Sequence, residues 1–295
     1  MPEVDEIAIN AQWLRERLVG KSLSSMVFHP HSRYDLNGLD PLNYSLRDLV
    51  TTIRNFRIVE VGTKGKLMWF YLHASQVAPM RAVVDRYLHI THGMSGGWRR
   101  NHESVVHLPH DAWEITTQGG ESSIYYDARK FGTLALLNCE GHGEKLRNLG
   151  ADVLTSCWED LWTSFNNRAS NKLKTRRDWK TIRELIMDQS IISGIGNYLA
   201  SEILYRAEIR PSTTYPKLSS FQLERLFKSI SSTAHAAYSA GGCTIHTWRN
   251  PDGEMGRFQY HLNVYGKTHC PLRHSLIKEK DKAGRNMFWC PVCQR

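Results

Sequence analysis

Asp188-Gln189-Ser190-Ile191-Ile192-Ser193-Gly194-Ile195-Gly196-Asn197-Tyr198-Leu199-Ala200-Ser201-Glu202 reads as two helical patterns joined by a turn that contains Gly194 and Gly196. Glycine supplies the backbone freedom such a turn needs. The amides at the start of the Asn197 helix are placed to hold a phosphate. The competing reading is a tight helix–helix turn that binds nothing. Dinucleotide binding through Gly-x-Gly is contradicted, because no strand precedes it and the third glycine is missing.

Working outward, helical patterns cover Glu144–Leu149, Trp158–Asn166, Trp179–Met187, Asn197–Ala207 and Ser219–Ala240. Upstream of Gly141 the pattern is different. Short apolar segments at Ser24–Phe28, Phe56–Val61, Leu67–Leu72, Val83–Ile90, Val105–Leu108, Ala112–Thr116, Ser123–Tyr126 and Thr133–Leu137 predict a sandwich or barrel. One helix, Ser45–Ile53, interrupts them, with Ser45 and Asp48 at capping-box spacing. Another opens the chain: Ile7, Ala11, Leu14 and Leu18 recur at helical spacing and Gly20 ends it.

A length of 295 residues predicts about two domains, and a net charge of +9 with pI near 9.3 predicts a polyanionic partner, nucleic acid before membrane. No apolar run reaches the roughly 18 residues of a membrane span. The acidic start is unlike a signal peptide, so a reducing intracellular compartment is expected. Of six cysteines, Cys139, Cys157 and Cys243 are scattered, which argues against a disulfide scaffold. The others make, with one histidine, the set Cys270, His274, Cys290 and Cys293: Cys-x3-His followed by Cys-x2-Cys. Three thiolates and an imidazole form a closed tetrahedral site, so one structural Zn2+ is expected. His269, adjacent to Cys270, is the competing imidazole. Lys278, Lys280, Lys282 and Arg285 lie between the ligand pairs, and the metal supplies folding energy that so short a unit lacks.

The N-terminus Met1-Pro2-Glu3-Val4-Asp5-Glu6 has two readings. It is either an acidic helix cap or, once Met1 is removed, a reactive secondary amine able to form a Schiff base. A generic α-amine with pKa about 7.7–8.0 is roughly a tenth neutral at pH 7, whereas lysine near 10.4 is about 0.04% neutral. The helix that begins behind Pro2 would further disfavour protonation there.

With the Pro-Glu start, the helix–two-turn–helix segment Gln189–Glu202 and the terminal finger, the chain resembles the Fpg/Nei (formamidopyrimidine-DNA glycosylase / endonuclease VIII) family over essentially its whole length. The Cys-His-Cys-Cys finger is similar to that of a Nei-like subgroup. The resemblance implies an α+β multidomain protein. Residues 1–140 would form an N-terminal catalytic β-sandwich with a leading helix, 141–157 a linker, 158–264 the helix-two-turn-helix domain and 265–295 the zinc finger. It implies a monomeric bifunctional DNA glycosylase/AP lyase of base excision repair. Oxidised bases, pyrimidines favoured, would be excised from duplex, bubble or single-stranded DNA and the strand cut by β,δ-elimination.

By the same resemblance Pro2 is the nucleophile, Glu3 the acid/base, Glu6 a stabiliser of the cationic intermediate and Lys66 a further active-site residue. Lys64 is the confusable neighbour; on a strand it would share a face with Lys66, and the resemblance decides for Lys66. Asp5 stands where the family usually has proline. Met94 of Gly93-Met94-Ser95-Gly96, and Arg129 and Phe131 of Asp127-Ala128-Arg129-Lys130-Phe131-Gly132, would fill the space left by an extruded base. Asn197, Lys267 and Arg285 would contact phosphates. The run Lys172, Lys174, Arg176, Arg177, Lys180 and Arg183 is expected to be mainly a solvated face or a flexible connection, and the loop from Gly241 to Gly256 is a candidate specificity element. The alternative function is a non-catalytic zinc-finger DNA-binding protein.

Overall fold

The computed structural model describes residues 2–30, 49–77, 82–101, 108–174, 180–245 and 247–295. The chain forms two compact units. One holds Met1–Pro2, Glu6–Leu146 and Thr244–Gly256, and the other holds Glu3–Asp5, Arg147–Cys243 and Arg257–Arg295.

The first unit is a β-sandwich with a leading helix. Helix α1, Val4–Leu18, buries Ile7, Ala11, Leu14 and Leu18, the four positions of its expected stripe, and Gly20 ends it with a positive φ of 84°. The strands are β1 (Leu23–Phe28), β2 (Arg57–Lys64), β3 (Leu67–Val77), β4 (Ala82–Thr91), β5 (Gly96–Arg100), β6 (Asp111–Thr117), β7 (Ser122–Asp127) and β8 (Thr133–Leu137). They pair antiparallel in two four-stranded sheets, in the orders β1-β6-β7-β5 and β2-β3-β4-β8. Met68, Phe70 and Leu72, at alternate positions of β3, have no exposure and join Trp98, Trp113 and Tyr125 of the other sheet in one core.

Strand β5 was not expected. Its first two residues are Gly96 and Gly97, which read as turn, but a Cβ on either would come within 2.2 Å of the Tyr125 hydroxyl or 2.4 Å of the Tyr126 hydroxyl. Glycine is there to let two tyrosines of β7 cross. Of the expected helix Ser45–Ile53, the part before residue 49 lies outside the described residues. Residues 49–52 are helical and lead into a 3-10 turn, Ile53–Asn55. The expected strand Val105–Leu108 falls, except for Leu108, outside the described residues.

The second unit is helical. After α2 (Cys139–Asn148) come β9 (Ala151–Asp152), α3 (Trp158–Lys174), α4 (Ile182–Ile186), β10 (Ile192–Ser193), α5 (Asn197–Arg206) and α6 (Ser220–Ser239). Helix α2 starts earlier than expected because Gly141 and Gly143 hid its first turn, and its end carries the chain from one unit to the other. Helix α4 is shorter than the expected Trp179–Met187: Thr181 is an extended N-cap in a capping box with Glu184, so the helix begins after it. Ser219 and Gln222 cap α6 in the same way. The hairpin β11 (Ile277–Lys280) and β12 (Asn286–Trp289) completes the chain and belongs to this unit. None of the six cysteines forms a disulfide. No helix among the described residues is long and apolar enough to cross a membrane.

Candidate active site and metal centre

Glu3 is 2% exposed, and its carboxylate accepts hydrogen bonds from the amides of Gly196 (2.7 Å), Tyr198 (3.0 Å) and Leu199 (3.3 Å). These are the unpaired donors of the first turn of α5, where the positive end of the helix dipole also lies. The amides offered to phosphate in the sequence reading are therefore taken by a side chain. Within the turn, the Gly194 amide donates to Gln189 Oε1 at 2.8 Å, and Gln189 Nε2 donates to the Met187 and Ile195 carbonyls. Gly194 has φ 116°, and a Cβ there would lie 2.8 Å from Val4 Cβ, so the turn approaches the start of α1 too closely for any side chain. Val4 N donates to the Gly194 carbonyl at 3.3 Å. Asp5, fully buried, accepts from the Tyr198 hydroxyl at 2.6 Å. Pro2 is buried, and Glu6 is 3% exposed. Burial, with Glu6's charge adding to it, pushes the Tyr126 phenol above its ordinary value.

Lys66 is not on a strand. The pair Lys64–Leu67 closes the β2–β3 hairpin, and Gly65 (φ 57°) and Lys66 are its two turn residues. Strand alternation thus ends at Lys64 and does not put Lys64 and Lys66 on one face. Lys64 Nζ donates to the Leu146 carbonyl at 3.0 Å, which ties it to α2.

Met94, Arg129 and Phe131 are brought together by a clamp that the sequence reading missed. Asp127, 3% exposed, accepts from the Ser95 hydroxyl at 2.6 Å and from the Gly132 amide at 2.7 Å. Ser95 Oγ in turn accepts from the Arg129 amide at 2.8 Å. Gly93 packs so closely on the second loop that a Cβ would meet the Phe131 carbonyl carbon at 2.5 Å. Arg129 Nη1 reaches Met94 Sδ at 3.7 Å. Met94 is 41% exposed and Phe131 56%, so neither is core. The signal was present in the sequence: a serine beside the methionine, and an aspartate opening the second loop.

The loop within Thr244–Gly256 packs with the sandwich. Asp252 accepts from Trp13 Nε1 at 2.9 Å and pairs with Arg17 at 3.5 Å, while Asn250 Oδ1 accepts from the Asp252 and Glu254 amides.

Asn197 and Arg285 belong to one polar network. Arg183 Nη2 donates to Asn197 Oδ1 at 2.6 Å and lies 3.6 Å from Asp281, and Arg285 Nε donates to Asp281 at 2.9 Å. Asn197 Nδ2 donates to the Asn286 carbonyl and the Tyr265 hydroxyl. Arg183 is 2% exposed, which corrects its assignment to a solvated face. Burial presses its guanidinium below the ordinary value, opposed by Asp281. Lys267 is exposed, on the turn closed by its own amide and the Val264 carbonyl. Glu202, fully buried, accepts the amides of Asn263, Val264 and Tyr265 and so fixes the segment entering the finger.

The ligand atoms of Cys270, His274, Cys290 and Cys293 all lie within 4.8 Å of one another. A tetrahedral ion held at about 2.3 Å by sulfur and 2.0–2.1 Å by nitrogen separates two sulfurs by about 3.8 Å and sulfur from nitrogen by about 3.6 Å. The Cys270–Cys290 sulfurs are 3.8 Å apart, and His274 Nδ1 is 3.6, 3.8 and 3.3 Å from Cys270, Cys290 and Cys293. The four side chains fit a metal ion. His269 instead bonds the Thr268 hydroxyl through its Nδ1.

Residues 1–134 match the family model of the formamidopyrimidine-DNA glycosylase N-terminal domain, and residues 159–248 match that of the formamidopyrimidine-DNA glycosylase H2TH domain. Formamidopyrimidine-DNA glycosylase of Dichelobacter nodosus is 30% identical over 299 residues, with all of both chains covered. That of Aliivibrio fischeri is 28% identical over 296 residues, covering 100% of this chain and 98% of the relative. The Lactococcus lactis Fpg solved in complex with DNA containing an abasic site has a TM-score of 0.79 and 26% identity, with both chains fully covered. A mutant of that protein with Fapy-dG containing DNA gives the same values. Matched end to end at this identity, and by both domain models, the chain belongs to the formamidopyrimidine-DNA glycosylase family.

Proposed function

We propose that the chain is a bifunctional DNA glycosylase/AP lyase of base excision repair, acting on damaged DNA as a monomer. Removal of Met1 exposes the Pro2 amine, which attacks C1′ of the damaged nucleotide. Glu3 moves the proton that lets the sugar ring open, the base departs, and a Schiff base forms. The iminium makes the C2′ proton acidic, so β-elimination and then δ-elimination cut the strand. Glu6 stabilises the cation and Lys66 serves the same site.

The observation that carries this reading is the grip of α5's first turn on Glu3. It anchors the residue next to Pro2 in one place. Exposed Met94 and Phe131 with Arg129 are the side chains that fill the gap after base extrusion. Arg285 and Lys267 take phosphates. One structural zinc on Cys270, His274, Cys290 and Cys293 holds the basic hairpin in shape. The functional division is a catalytic sandwich in 1–140, a helix-two-turn-helix domain in 158–264, whose Thr244–Gly256 loop belongs to the compact unit of the sandwich, and a finger in 265–295. Oxidised bases are the proposed lesions, with pyrimidines favoured over purines. The Fapy-dG complex of the Lactococcus lactis mutant favours ring-opened purines as a second reading.

Borohydride trapping on abasic-site DNA tests the reaction. The correctly processed protein should form a covalent adduct, while a chain with residues added before Pro2 should bind the same DNA and form none. Equal trapping of both, or trapping of neither, refutes the Pro2 chemistry; binding without any adduct would leave a zinc-finger DNA-binding protein.

A further inference from the structure

Tyr198 grips the start of the chain twice. Its amide donates to Glu3 Oε1 at 3.0 Å, and its hydroxyl donates to Asp5 Oδ1 at 2.6 Å. Between these two carboxylates, Val4 N donates to the Gly194 carbonyl at 3.3 Å. Residues 3, 4 and 5 are thus each tied to the same helix–turn segment, all within one compact unit. Asp5 has no exposure and Tyr198 only 2%. Taking a carboxylate out of water costs several kcal/mol, and an apolar residue of similar volume often serves stability as well or better. Stability alone is therefore a poor reason for an acid at position 5. A short hydrogen bond to a rigid phenol, by contrast, fixes direction as well as distance.

We propose that Tyr198 and Asp5 are positioning residues that hold the Glu3 carboxylate in the orientation its proton transfers require. The buried Tyr198 ring packs against Phe258 and Tyr265, with ring centroids 6.2 and 6.3 Å away, so its hydroxyl sets where Asp5 sits. Asp5, two residues on, sets the first turn of α1 and with it the Glu3 backbone. Released from Asp5, the Glu3 side chain keeps its three amide donors but its main chain gains freedom. A displacement of about 1 Å in a catalytic group is enough to lose orders of magnitude in rate. The proposal rests on Glu3 acting as acid/base in the proposed function.

The test uses the full chain with native terminus and bound metal. Tyr198→Phe deletes one hydroxyl. The readouts are the single-turnover rate of damaged-base release, the rate of strand cutting at a preformed abasic site, and affinity for DNA carrying an uncleavable abasic analogue. A preformed abasic site is partly open-chain aldehyde, so it depends less on Glu3-assisted ring opening. Base release should fall about tenfold or more, while abasic-site cutting and DNA affinity stay within about threefold. Asp5→Asn, which still accepts the phenol's hydrogen bond, should keep most of the rate. Asp5→Ala should lose it selectively as Tyr198→Phe does, and the double variant Tyr198→Phe/Asp5→Ala should be no slower than either alone, because they share one interaction. Wild-type base release in Tyr198→Phe overturns the proposal, as do equal losses in both reactions or multiplicative losses in the double variant. Should Tyr198→Phe fail to fold, Asp5→Ala decides alone by the same ratio. If the wild-type chain traps no abasic DNA, the proposed function itself fails; if it traps normally and the variants excise normally, only the positioning role falls.

Discussion

Acid should loosen the sandwich through His92, and one substitution should isolate the effect. His92 follows β4 and precedes the Met94 turn. It is 2% exposed, packs edge-on against Tyr125 with ring centroids 5.7 Å apart, and neither ring nitrogen has a hydrogen-bond partner among the described residues. Burial pushes its pKa down to about 3. The unfolded chain, near 6.5, takes up the proton first, so stability is complete above about 6.5 and is lost as pH falls toward 3. At pH 5 the linkage ratio (1 + 10^1.5)/(1 + 10^−2) is about 32, equal to about 2 kcal/mol. His92→Leu removes this proton and two unpaired buried nitrogens, so at pH 7 it should be neutral or slightly stabilising. Urea unfolding at pH 7, 6 and 5, followed by tryptophan fluorescence and by far-UV circular dichroism, measures the difference. Between pH 7 and 5 the wild type should lose about 2 kcal/mol more than the variant. His89, held down to about 4 by burial, His142 and Lys145, loses stability in the same direction in both chains and cancels. Parallel pH curves for the two proteins would refute the reasoning.

Stripping the metal with a strong chelator, or Cys290→Ser, should release amide exchange protection in β11 and β12 while β3 and β4 stay protected; structural zinc sites are worth about 10–16 kcal/mol in isolated fingers. Elemental analysis should find one zinc per chain, and retention of hairpin protection without it would contradict a structural role. Lys66→Ala should cut damaged-base release by about a hundredfold with unchanged thermal stability. Lys64→Ala should instead cost about 1 kcal/mol through its lost bond to the Leu146 carbonyl, with near-normal excision. The opposite pattern would move the active-site lysine to position 64.

Where pattern is local, it was legible. The α1 stripe, most of the sandwich strands and the Cys-x3-His/Cys-x2-Cys set depend on side chains near one another in sequence, and they appear as read. Strand β5 was hidden because its glycines answer to tyrosines on β7, about thirty residues further on. Lys66 was misplaced on a strand because Gly65 supplies a turn conformation that alternation does not reveal. Arg183 looked like one more member of a charge run. Its burial comes from Asn197 and from Asp281, which lies on the finger hairpin, and neither is close in sequence.

The Gly194–Asn197 turn carries the same lesson into function. A helix start with open amides attracts an anion, and that much follows from local sequence. Which anion arrives is decided by distance in space. Glu3 lies about 190 positions upstream, yet it takes three of those donors. A carboxylate already bound there leaves no vacancy for a DNA phosphate at the Gly196, Tyr198 and Leu199 amides. In the proposed function, phosphate binding then falls to exposed Arg285 and Lys267, because the Asn197 amide is itself committed to Arg183, the Tyr265 hydroxyl and the Asn286 carbonyl, and the turn's own work is internal. It fixes the acid beside Pro2, so lengthening the turn or adding a side chain at Gly194 should harm base release before it harms DNA affinity.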